Sequence, residues 1–481
     1  MRIIDAIFQQ AICEPQKPAM AIADRIVTYD MVARGVLSIE SRARLAGIRA
    51  GDVVIVGLAS PIRDMIASLA MLRLGAISAS WYEPESAAAK HLNPDWILVD
   101  DLEDVTDSKR AHAVGEDWFT GYRGAIETAP QAYAFQEDEV CRLIFSSGTT
   151  GVAKPLAFTP AILRDRVYTC IALNAECHAD RTMLAPQLAS QMGWVGALAN
   201  LTTGGMAMFA LTAETTMQMI DVYGATNLVA TAAQIREILN ARERGNFTMH
   251  SLRAMQVGAG HIAPTLMRRL ESEFCNRILC RYGSTETGIA AFAPGKFLTG
   301  TDSAVGVVAP WAVVEALDER GNPLPIGSEG ELRLRTDSLA QPFVRGRNFL
   351  APDPQAWFYP GDIGRVDERG LLYITGRSNS IINIGGAKVT PEIVERLLLA
   401  QPGIKDAGVA GLIGPSGFDE LWAVVSGGEA MQIEAAMEAV NREYSATPLS
   451  RIIAGQIPRN AAGKIMREDL RRFCMAQIPR A

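Results

Sequence analysis

Short apolar runs alternate with stretches of helical spacing through the first three quarters of the chain. Val53–Gly57 and Trp96–Val99 have the length and composition of buried strands. Between them, Asp64–Arg73 repeats its apolar residues at helical intervals, and Met1–Gln10 has the spacing of an amphipathic helix. This alternation predicts α/β layers on largely parallel sheets.

The pattern changes after about Asp318. A turn-rich stretch is followed by Glu331–Arg335 and Gly370–Ile374, which have the character of short strands. We therefore expect a small β-rich subdomain there. The polar segment Gly376–Ser380 interrupts the pattern again. It predicts a boundary between an N-terminal domain, residues 1–377, and a small α+β domain, residues 378–481.

The C-terminal domain is expected to open with a helix. Thr390 is a suitable N-cap, Pro391 suits the first helical position, and Gly403 follows the helix end. The expected buried stripe consists of Ile393, Leu397 and Ala400.

One span, Thr182–Ala213, contains no charged residue. Gln187, Gln191 and the Gly204–Gly205 break argue against a membrane helix. The break divides the span into a helix-like part and a strand-like part. We expect it to be buried inside a domain.

The composition excludes several classes of function. A net charge of -7 gives no basic surface for nucleic acid. The seven cysteines are scattered without a CxxC pair, which indicates reduced thiols and a cytoplasmic protein. Asp5 interrupts the N-terminal apolar residues where a signal peptide needs an unbroken core.

The densest candidate site is the loop that follows the apolar run Leu143–Phe145. It contains Ser146, Ser147, Gly148, Thr149, Thr150 and Gly151, and then Lys154. Glycines let backbone N–H groups approach an anion, and the hydroxyls and the lysine add donors and charge. The loop predicts a polyphosphate site, although the chain has no Walker A motif.

Two further segments carry candidate chemistry. In Arg281–Gly288, Tyr282 can stack on a base, Thr285 can contact phosphate and Glu286 can hold Mg²⁺. In Trp357–Asp362, a type II turn at Pro360–Gly361 presents Asp362 for the hydroxyls of a ribose. Taken alone, each segment is better explained as an ordinary turn. Arg377 follows across a short strand.

Together these segments, in this order and with Lys464 near the C-terminus, resemble the adenylate-forming superfamily. That superfamily includes acyl- and aryl-CoA synthetases, the adenylation domains of peptide synthetases and firefly luciferase. The resemblance extends from about Thr28 to Arg467 and is nearest to the acyl- and aryl-CoA synthetases.

The resemblance implies an α/β fold. The large N-terminal domain would hold two αβ-layered sheets and the β-rich subdomain, and the C-terminal domain would be mobile. It also implies that ATP and a carboxylate give an acyl-adenylate and pyrophosphate, with Mg²⁺, before the thiol of CoA takes the acyl group.

Site residues carry over by position. Lys464 matches the catalytic lysine, with Thr285 and Glu286 at the phosphates and Mg²⁺. The nucleotide and CoA contacts would come from the loop Ser146–Gly151, Lys154, Gly258, Ala259, Gly260, Tyr282, Gly283, Ser284, Asp362, Arg377, Gly385 and Gly386. The acid pocket would be lined by Ser190, Met192, Gly193, Trp194, His261 and Ile289.

The chain departs from the family pattern in three places. Asn379 stands at the hinge, where Asp or Lys is common. Ser190 replaces a frequent His, and Pro155 replaces a frequent Gly. Pro155 removes one N–H donor after Lys154, so the loop depends on the groups before it.

The acid and the acceptor stay open. The charge-free span offers no Asp to pair with an amine, which argues against an amino acid. A pocket lined by Ala, Met, Gly and Trp favours an apolar acid of small or medium size. The alternatives are an acyl-AMP ligase that loads an acyl-carrier protein and a non-catalytic sensor of nucleotide or acyl ligands. The choice between a monomer and a homodimer is also open.

Overall fold

A computed structural model describes residues 3–83, 86–106, 108–146, 154–245, 247–259, 264–301, 303–345, 355–378, 382–384, 387–413, 419–443, 448–460 and 463–477. Its strands are β1 (Pro18–Ile22), β2 (Arg25–Thr28), β3 (Val53–Gly57), β4 (Ile77–Ser80), β5 (Trp96–Val99), β6 (Ala111–Ala113), β7 (Arg142–Ser146), β8 (Lys154–Phe158), β9 (Arg181–Leu184), β10 (Met206–Phe209), β11 (Asn227–Thr231), β12 (Ala254–Gly258), β13 (Ile278–Ser284), β14 (Gly288–Pro294), β15 (Ala304–Val308), β16 (Ala312–Leu317), β17 (Gly330–Thr336), β18 (Gln341–Pro342), β19 (Asp362–Val366), β20 (Leu371–Arg377), β21 (Ile382–Ile384), β22 (Ala387–Val389), β23 (Asp406–Ile413), β24 (Asp419–Ser426) and β25 (Leu449–Ala454).

The α-helices lie between these strands and cover them. They are α1 (Ile3–Cys13), α2 (Tyr29–Ala46), α3 (Pro61–Leu74), α4 (Ala87–Leu92), α5 (Asp117–Thr120), α6 (Pro160–Asn174), α7 (Gln191–Thr202), α8 (Ala213–Tyr223), α9 (Ala232–Arg244), α10 (Pro264–Glu273), α11 (Gly295–Leu298), α12 (Pro391–Leu399), α13 (Ala430–Glu443) and α14 (Arg467–Ala476).

Two sheets organise the larger part of the chain. The smaller sheet has the order β18-β8-β7-β4-β3-β5-β6, and the strands from β7 to β6 run parallel. The larger has the order β16-β17-β19-β20-β15-β14-β13-β12-β11-β9-β10-β1-β2. It is parallel from β1 to β13, and the pairs between β13 and β16 are antiparallel.

The α/β prediction is therefore confirmed, and β3 and β5 have the predicted bounds. The expected β-rich subdomain is not a separate sheet, because β15 pairs with β14 and continues the larger sheet. In the C-terminal segment, β23, β24 and β25 form a three-stranded sheet with α12, α13 and α14 around it.

The charge-free span is buried, as expected. It holds most of β9, then α7 and β10, and the Gly204–Gly205 break separates α7 from β10. Gly204 has a φ of 83°, which favours glycine at this turn. Among the described residues, no helix is long and apolar enough to cross a membrane.

The predicted stripe of α12 is wrong by one position. Val394 and Leu398 are buried, whereas Ala400 is exposed. Both stripes are apolar and helically spaced, and packing against β23 selects the second. Thr390 occupies the N-cap position, but its side chain makes no capping hydrogen bond.

Two buried charged residues, Arg142 and Asp64, interact through shared serine hydroxyls where the smaller sheet meets α7. Arg142 on β7 is 1% exposed, and its guanidinium donates to Ser68, Ser78 and Ser80 at 2.9, 2.9 and 2.5 Å. Its carboxylate partner is Asp64 on α3, which accepts hydrogen bonds from Ser80 at 2.6 Å and Ser68 at 3.0 Å.

The pair also reaches the helix that precedes β10. The Arg142 guanidinium lies 4.3 Å from the ring centroid of Trp194 on α7. Burial lowers the pKa of Arg142 to about 10, so the side chain remains charged at neutral pH. Desolvation raises the pKa of Asp64, and the positive charge of Arg142 acts in the opposite direction. The contacts of Arg142 therefore join β7 to α3, β4 and α7.

We predict that Asp64→Ala lowers the free energy of unfolding by about 3–5 kcal/mol, because it leaves a buried guanidinium without its counter-charge. Urea denaturation measures the loss. Asp30→Ala is the matched control, since Asp30 pairs with Arg34 at i,i+4 on a more exposed face of α2 and should cost less than about 0.5 kcal/mol. Equal small losses would contradict this account of the pair.

Candidate active site

The predicted phosphate loop connects two paired strands. Ser146 ends β7, Lys154 begins β8, and the two residues are register partners in an antiparallel hairpin. The Ser146 hydroxyl donates to the Lys154 carbonyl at 3.5 Å. Lys154 is exposed at the strand end, so its ammonium is available to an anion beside the loop. Ser147, Gly148, Thr149, Thr150 and Gly151 lie outside the described residues.

The second candidate segment forms the turn of the β13–β14 hairpin. The hydroxyls of Ser284 and Thr287 lie 3.2 Å apart, and each accepts a hydrogen bond from the other residue's backbone N–H, both at 3.2 Å. These bonds close the turn and leave Thr285 and Glu286 at its tip. Ser284 thus stabilises the turn that presents them.

Two glycines permit this turn to pack tightly. A Cβ on Gly283 would lie 1.7 Å from the Gly288 carbonyl oxygen. A Cβ on Gly288, where φ is 69°, would lie 1.2 Å from Nη1 of Arg166. The guanidinium of Arg166 therefore occupies the space that a side chain at residue 288 would need.

Arg166 fixes the backbone of the turn that carries Glu286. It lies on α6, is 5% exposed, and donates from Nη2 to the carbonyls of Glu286 at 2.8 Å and Ser338 at 2.7 Å. The Glu286 carbonyl also accepts from the N–H of Ala340 at 2.8 Å. The backbone under Glu286 is therefore fixed from two directions.

Residues 338–342 connect the Glu286 turn to the hairpin formed by β7 and β8. Gln341 and Pro342 form β18, which pairs with β8, and they directly follow Ala340. Residues 338–342 thus touch the Glu286 turn at one end and β8 at the other. This contact brings Lys154 and Glu286, which are distant in sequence, to the same region.

Asp362 is the buried carboxylate of the site. It is 4% exposed, and it pairs in register with Arg377 across β19 and β20. Its Oδ1 lies 3.0 Å from Nε of Arg377, and its Oδ2 accepts the Tyr282 hydroxyl at 2.6 Å. Gly361 before it has a φ of 71°, as a type II turn requires.

The contacts between Asp362, Tyr282 and Arg377 determine which hydrogen bonds the Asp362 carboxylate can still accept. Desolvation and the Asp362 charge raise the pKa of Tyr282, so its hydroxyl stays a donor. The carboxylate has about four lone-pair directions, and two are used by Tyr282 and Arg377. Asp362 can therefore still accept two further hydroxyls.

Lys464 faces this centre from the C-terminal segment. Its side chain keeps contact with solvent, yet desolvation by the surrounding protein lowers its pKa, and the positive charge of Arg377 lowers it further. The charges of Asp362 and Glu286 act in the opposite direction. The ammonium thus interacts electrostatically with Arg377, Asp362 and Glu286, which the sequence predicts to share one site.

The predicted acid-pocket residues divide into three kinds. Ser190 is the N-cap of α7 and accepts the Gly193 N–H at 3.1 Å. Gly193 is needed there, because a Cβ would lie 2.2 Å from the Gln187 carbonyl oxygen. Trp194 is fully buried beneath Arg142, so it packs in the core.

Met192 and Ile289 lie at the end of β12 and the start of β14, respectively. The Met192 methyl group would be 2.9 Å from a Cβ on Gly258, so it covers the end of β12. Ala259 follows with a φ of 55°, an unusual value for a residue with a side chain. Ile289 is partly buried on β14, and its carbonyl accepts the Trp311 indole N–H at 2.8 Å. Gly260, His261, Asn379, Gly385 and Gly386 lie outside the described residues.

Sequence reasoning missed Arg166 and the Asp64–Arg142 pair. Neither lies in a motif, and each acts on residues far away in sequence. The available signal was a charged residue inside an otherwise apolar segment: Arg142 directly precedes the run Leu143–Phe145. Lys, Arg, Asp and Glu are rarely fully buried unless they are paired.

Comparisons with known proteins identify the family of the chain. The AMP-binding enzyme family matches residues 7–343. A 4-coumarate–CoA ligase of Arabidopsis thaliana is 26% identical over 93% of this chain and 86% of its own length. A 2-succinylbenzoate–CoA ligase of Geobacillus kaustophilus is 25% identical over 97% of this chain and 96% of its own.

Solved structures show the same fold. An anthranilate CoA ligase in complex with anthranoyl-AMP has a TM-score of 0.84 at 19% identity and covers 99% of this chain and 98% of that chain. The O-succinylbenzoate CoA synthetase of Bacillus subtilis, in complex with AMP, has a TM-score of 0.79 at 19% identity, with 97% of each chain covered.

We predict that Arg166→Leu loosens the turn that carries Glu286. The substitution removes two hydrogen bonds to carbonyls and should destabilise the protein by about 1–3 kcal/mol. Amide hydrogen exchange over residues 284–288 should become faster. Arg164→Leu is the control, because Arg164 lies on the same helix but pairs with the exposed Glu137. Unchanged exchange over residues 284–288 in Arg166→Leu would show that Arg166 does not hold the turn.

Proposed function

Because the chain belongs to the AMP-binding enzyme family, we propose that it is an AMP-forming acid–thiol ligase. ATP and a carboxylic acid would give an acyl-adenylate and pyrophosphate, and the thiol of CoA would then take the acyl group. The observation that carries the proposal is the electrostatic interaction of Lys464, from the C-terminal segment, with Asp362 and Glu286. Relatives named as CoA ligases along nearly the whole chain support it.

In the first half-reaction an acid oxygen bonds to the α-phosphorus while the bond to the pyrophosphate oxygen breaks. Acid and triphosphate are both anionic, so cations must offset their repulsion and the charge that develops at the α-phosphate. Lys464 is the cation for the acid and α-phosphate. Lys154, at the start of β8, is the cation for the departing phosphates.

The nucleoside would bind at Asp362 and Tyr282. The two lone-pair directions that Asp362 retains would accept the ribose hydroxyls, while Tyr282 presents its ring to the base. Because Tyr282 and Arg377 already hold the carboxylate, it is oriented before the nucleotide arrives.

Glu286 and Thr285 fit a Mg²⁺ site only if the triphosphate supplies further ligands. In the described part of the chain, no group of three His, Cys, Asp or Glu residues could hold a metal. Mg²⁺ is often bound by one or two carboxylates together with substrate phosphates. Glu286, with the Thr285 hydroxyl beside it, would supply the protein side of such a site.

The acid is proposed to be apolar and of small or medium size. The Met192 methyl group lies against Gly258 and places apolar surface at the end of β12. For the second half-reaction, Gly385 and Gly386 would line a narrow passage for the thiol arm. A hinge at Asn379, between domains 1–377 and 378–481, would let that passage reach the adenylate.

The direct test is a pyrophosphate-release assay with ATP, Mg²⁺ and a panel of aliphatic, aromatic and dicarboxylic acids, with and without CoA. The proposal expects release that depends on the acid and a CoA thioester as product. An adenylate that accumulates without using CoA would indicate a carrier-protein acceptor. No release with any acid would favour a non-catalytic sensor and contradict the proposal.

We predict that Lys464→Ala lowers acid-dependent pyrophosphate release by a few hundredfold, about 3–4 kcal/mol, because charge at the α-phosphate is then uncompensated. Thioester formation from supplied acyl-adenylate should be largely retained. Lys405→Ala, an exposed lysine of the same C-terminal segment, is the control and should behave as wild type. Equal loss of both half-reactions would refute the assigned role.

A further inference from the structure

The loop that carries Lys464 is seated on the first turn of α9. Gly463 has a φ of 76°, and a Cβ at this position would lie 2.2 Å from the Cβ of Ala233. Lys464 follows directly, so the contact lies one residue from the ammonium-bearing side chain. A glycine is needed here both for its backbone angle and for the close approach to the helix.

Arg236 adds a charged contact from the same face of the helix. It lies three residues after Ala233, and its Nη1 is 2.9 Å from Oδ1 of Asp406, the first residue of β23. Residues three apart on a helix share a face. The steric contact and the ion pair therefore act together on one surface of α9.

Asp406 links Arg236 to the loop of Lys464 through Arg459. It accepts hydrogen bonds from Nε and Nη2 of Arg459 at 3.0 and 2.7 Å. Nη1 of Arg459 in turn donates to the Gly463 carbonyl at 2.6 Å. The side chain of Asp406 is 15% exposed, that of Arg459 25% and that of Arg236 32%, so solvent screens the charges only in part.

The loop itself is tightly hydrogen-bonded. The Asn460 side-chain oxygen accepts the Lys464 N–H at 3.0 Å, and the Asn460 N–H donates to the Lys464 carbonyl at 2.9 Å. The Gly463 N–H donates to the Asn460 carbonyl at 2.8 Å. A displacement of Gly463 would therefore be transmitted to Lys464.

The start of α9, which the Lys464 loop contacts, is itself held in place by hydrogen bonds. Thr231 and Gln234 form a reciprocal capping box at the start of the helix. The Gln234 amide also donates to the Ala185 carbonyl at 2.8 Å, which ties the helix to the end of β9. Ala233 and Arg236 lie in and just beyond this fixed turn.

We propose that Arg236 is a positioning residue for Lys464, acting through Asp406, Arg459 and the Gly463 carbonyl. The inference rests on the proposed function, because it assigns Arg236 to the adenylate-forming half-reaction. Arg236 does not touch the reacting atoms. It fixes the loop from which Lys464 reaches them.

The test compares the two half-reactions in Arg236→Glu, whose carboxylate repels Asp406. Acid-dependent pyrophosphate release should fall by about tenfold or more in kcat, as for a disrupted close charge pair. Thioester formation from supplied acyl-adenylate should change by less than about twofold, since Lys464 is not needed there. Arg236→Lys should restore part of the loss, and Arg236→Gln removes the charge without repulsion if the Glu variant is unstable.

Arg242→Ala is the matched control. Arg242 lies on the same helix, but its Nη1 is 2.6 Å from Oε2 of Glu273 on α10, not from a residue of the C-terminal segment. Both half-reactions should therefore be unaffected. A structural effect of Arg236→Glu would instead lower both half-reactions and the urea midpoint together.

A double mutant gives the decisive comparison. If Arg236 acts through Lys464, then Arg236→Glu should cause no further loss of pyrophosphate release in the Lys464→Ala background. Multiplicative losses would overturn the inference, as would a wild-type rate in Arg236→Glu. If the wild-type protein itself releases no pyrophosphate with any acid, the proposed function has failed, and that outcome is distinct from an unaffected Arg236 variant.

Discussion

The Asp362 carboxylate is the interaction on which the arrangement of the site depends. It is buried at the start of β19, and Arg377 holds it across the β19–β20 pair while Tyr282 holds it from β13. A buried carboxylate is costly without such partners. The orientation of Tyr282 and the field around Lys464 depend on where this one group is fixed, and so does the ribose site that we propose.

The turn that carries Glu286, which we propose contacts the phosphates, is also fixed by hydrogen bonds, in this case to its backbone. Arg166 and the N–H of Ala340 fix the Glu286 carbonyl, and the absence of side chains at Gly283 and Gly288 lets them approach. Both halves of the site are therefore oriented by buried donors before any ligand binds. Such preorganisation is what electrostatic catalysis requires.

The sequence predicts those features that depend on neighbouring residues. The bounds of β3 and β5 follow from short apolar runs, and the tip of the β13–β14 hairpin follows from adjacent polar residues. Features that join distant segments carry no such local signal. The Arg166 contact with Glu286 and the Arg236 contact with Asp406 exist only because the fold brings separate helices, turns and strands together. For α12, two apolar stripes compete, and tertiary packing chooses Val394 and Leu398 over Ile393 and Leu397.

The central claim is that an acid oxygen attacks the α-phosphorus of ATP in the site between Asp362, Glu286 and Lys464. It is tested most directly with an acid substrate labelled with ¹⁸O in its carboxylate, incubated with the enzyme, ATP and CoA. The account predicts that one labelled oxygen appears in the phosphate of AMP and that pyrophosphate is unlabelled. Label in inorganic phosphate, with ADP as the nucleotide product, would mean attack at the γ-phosphorus and would contradict it.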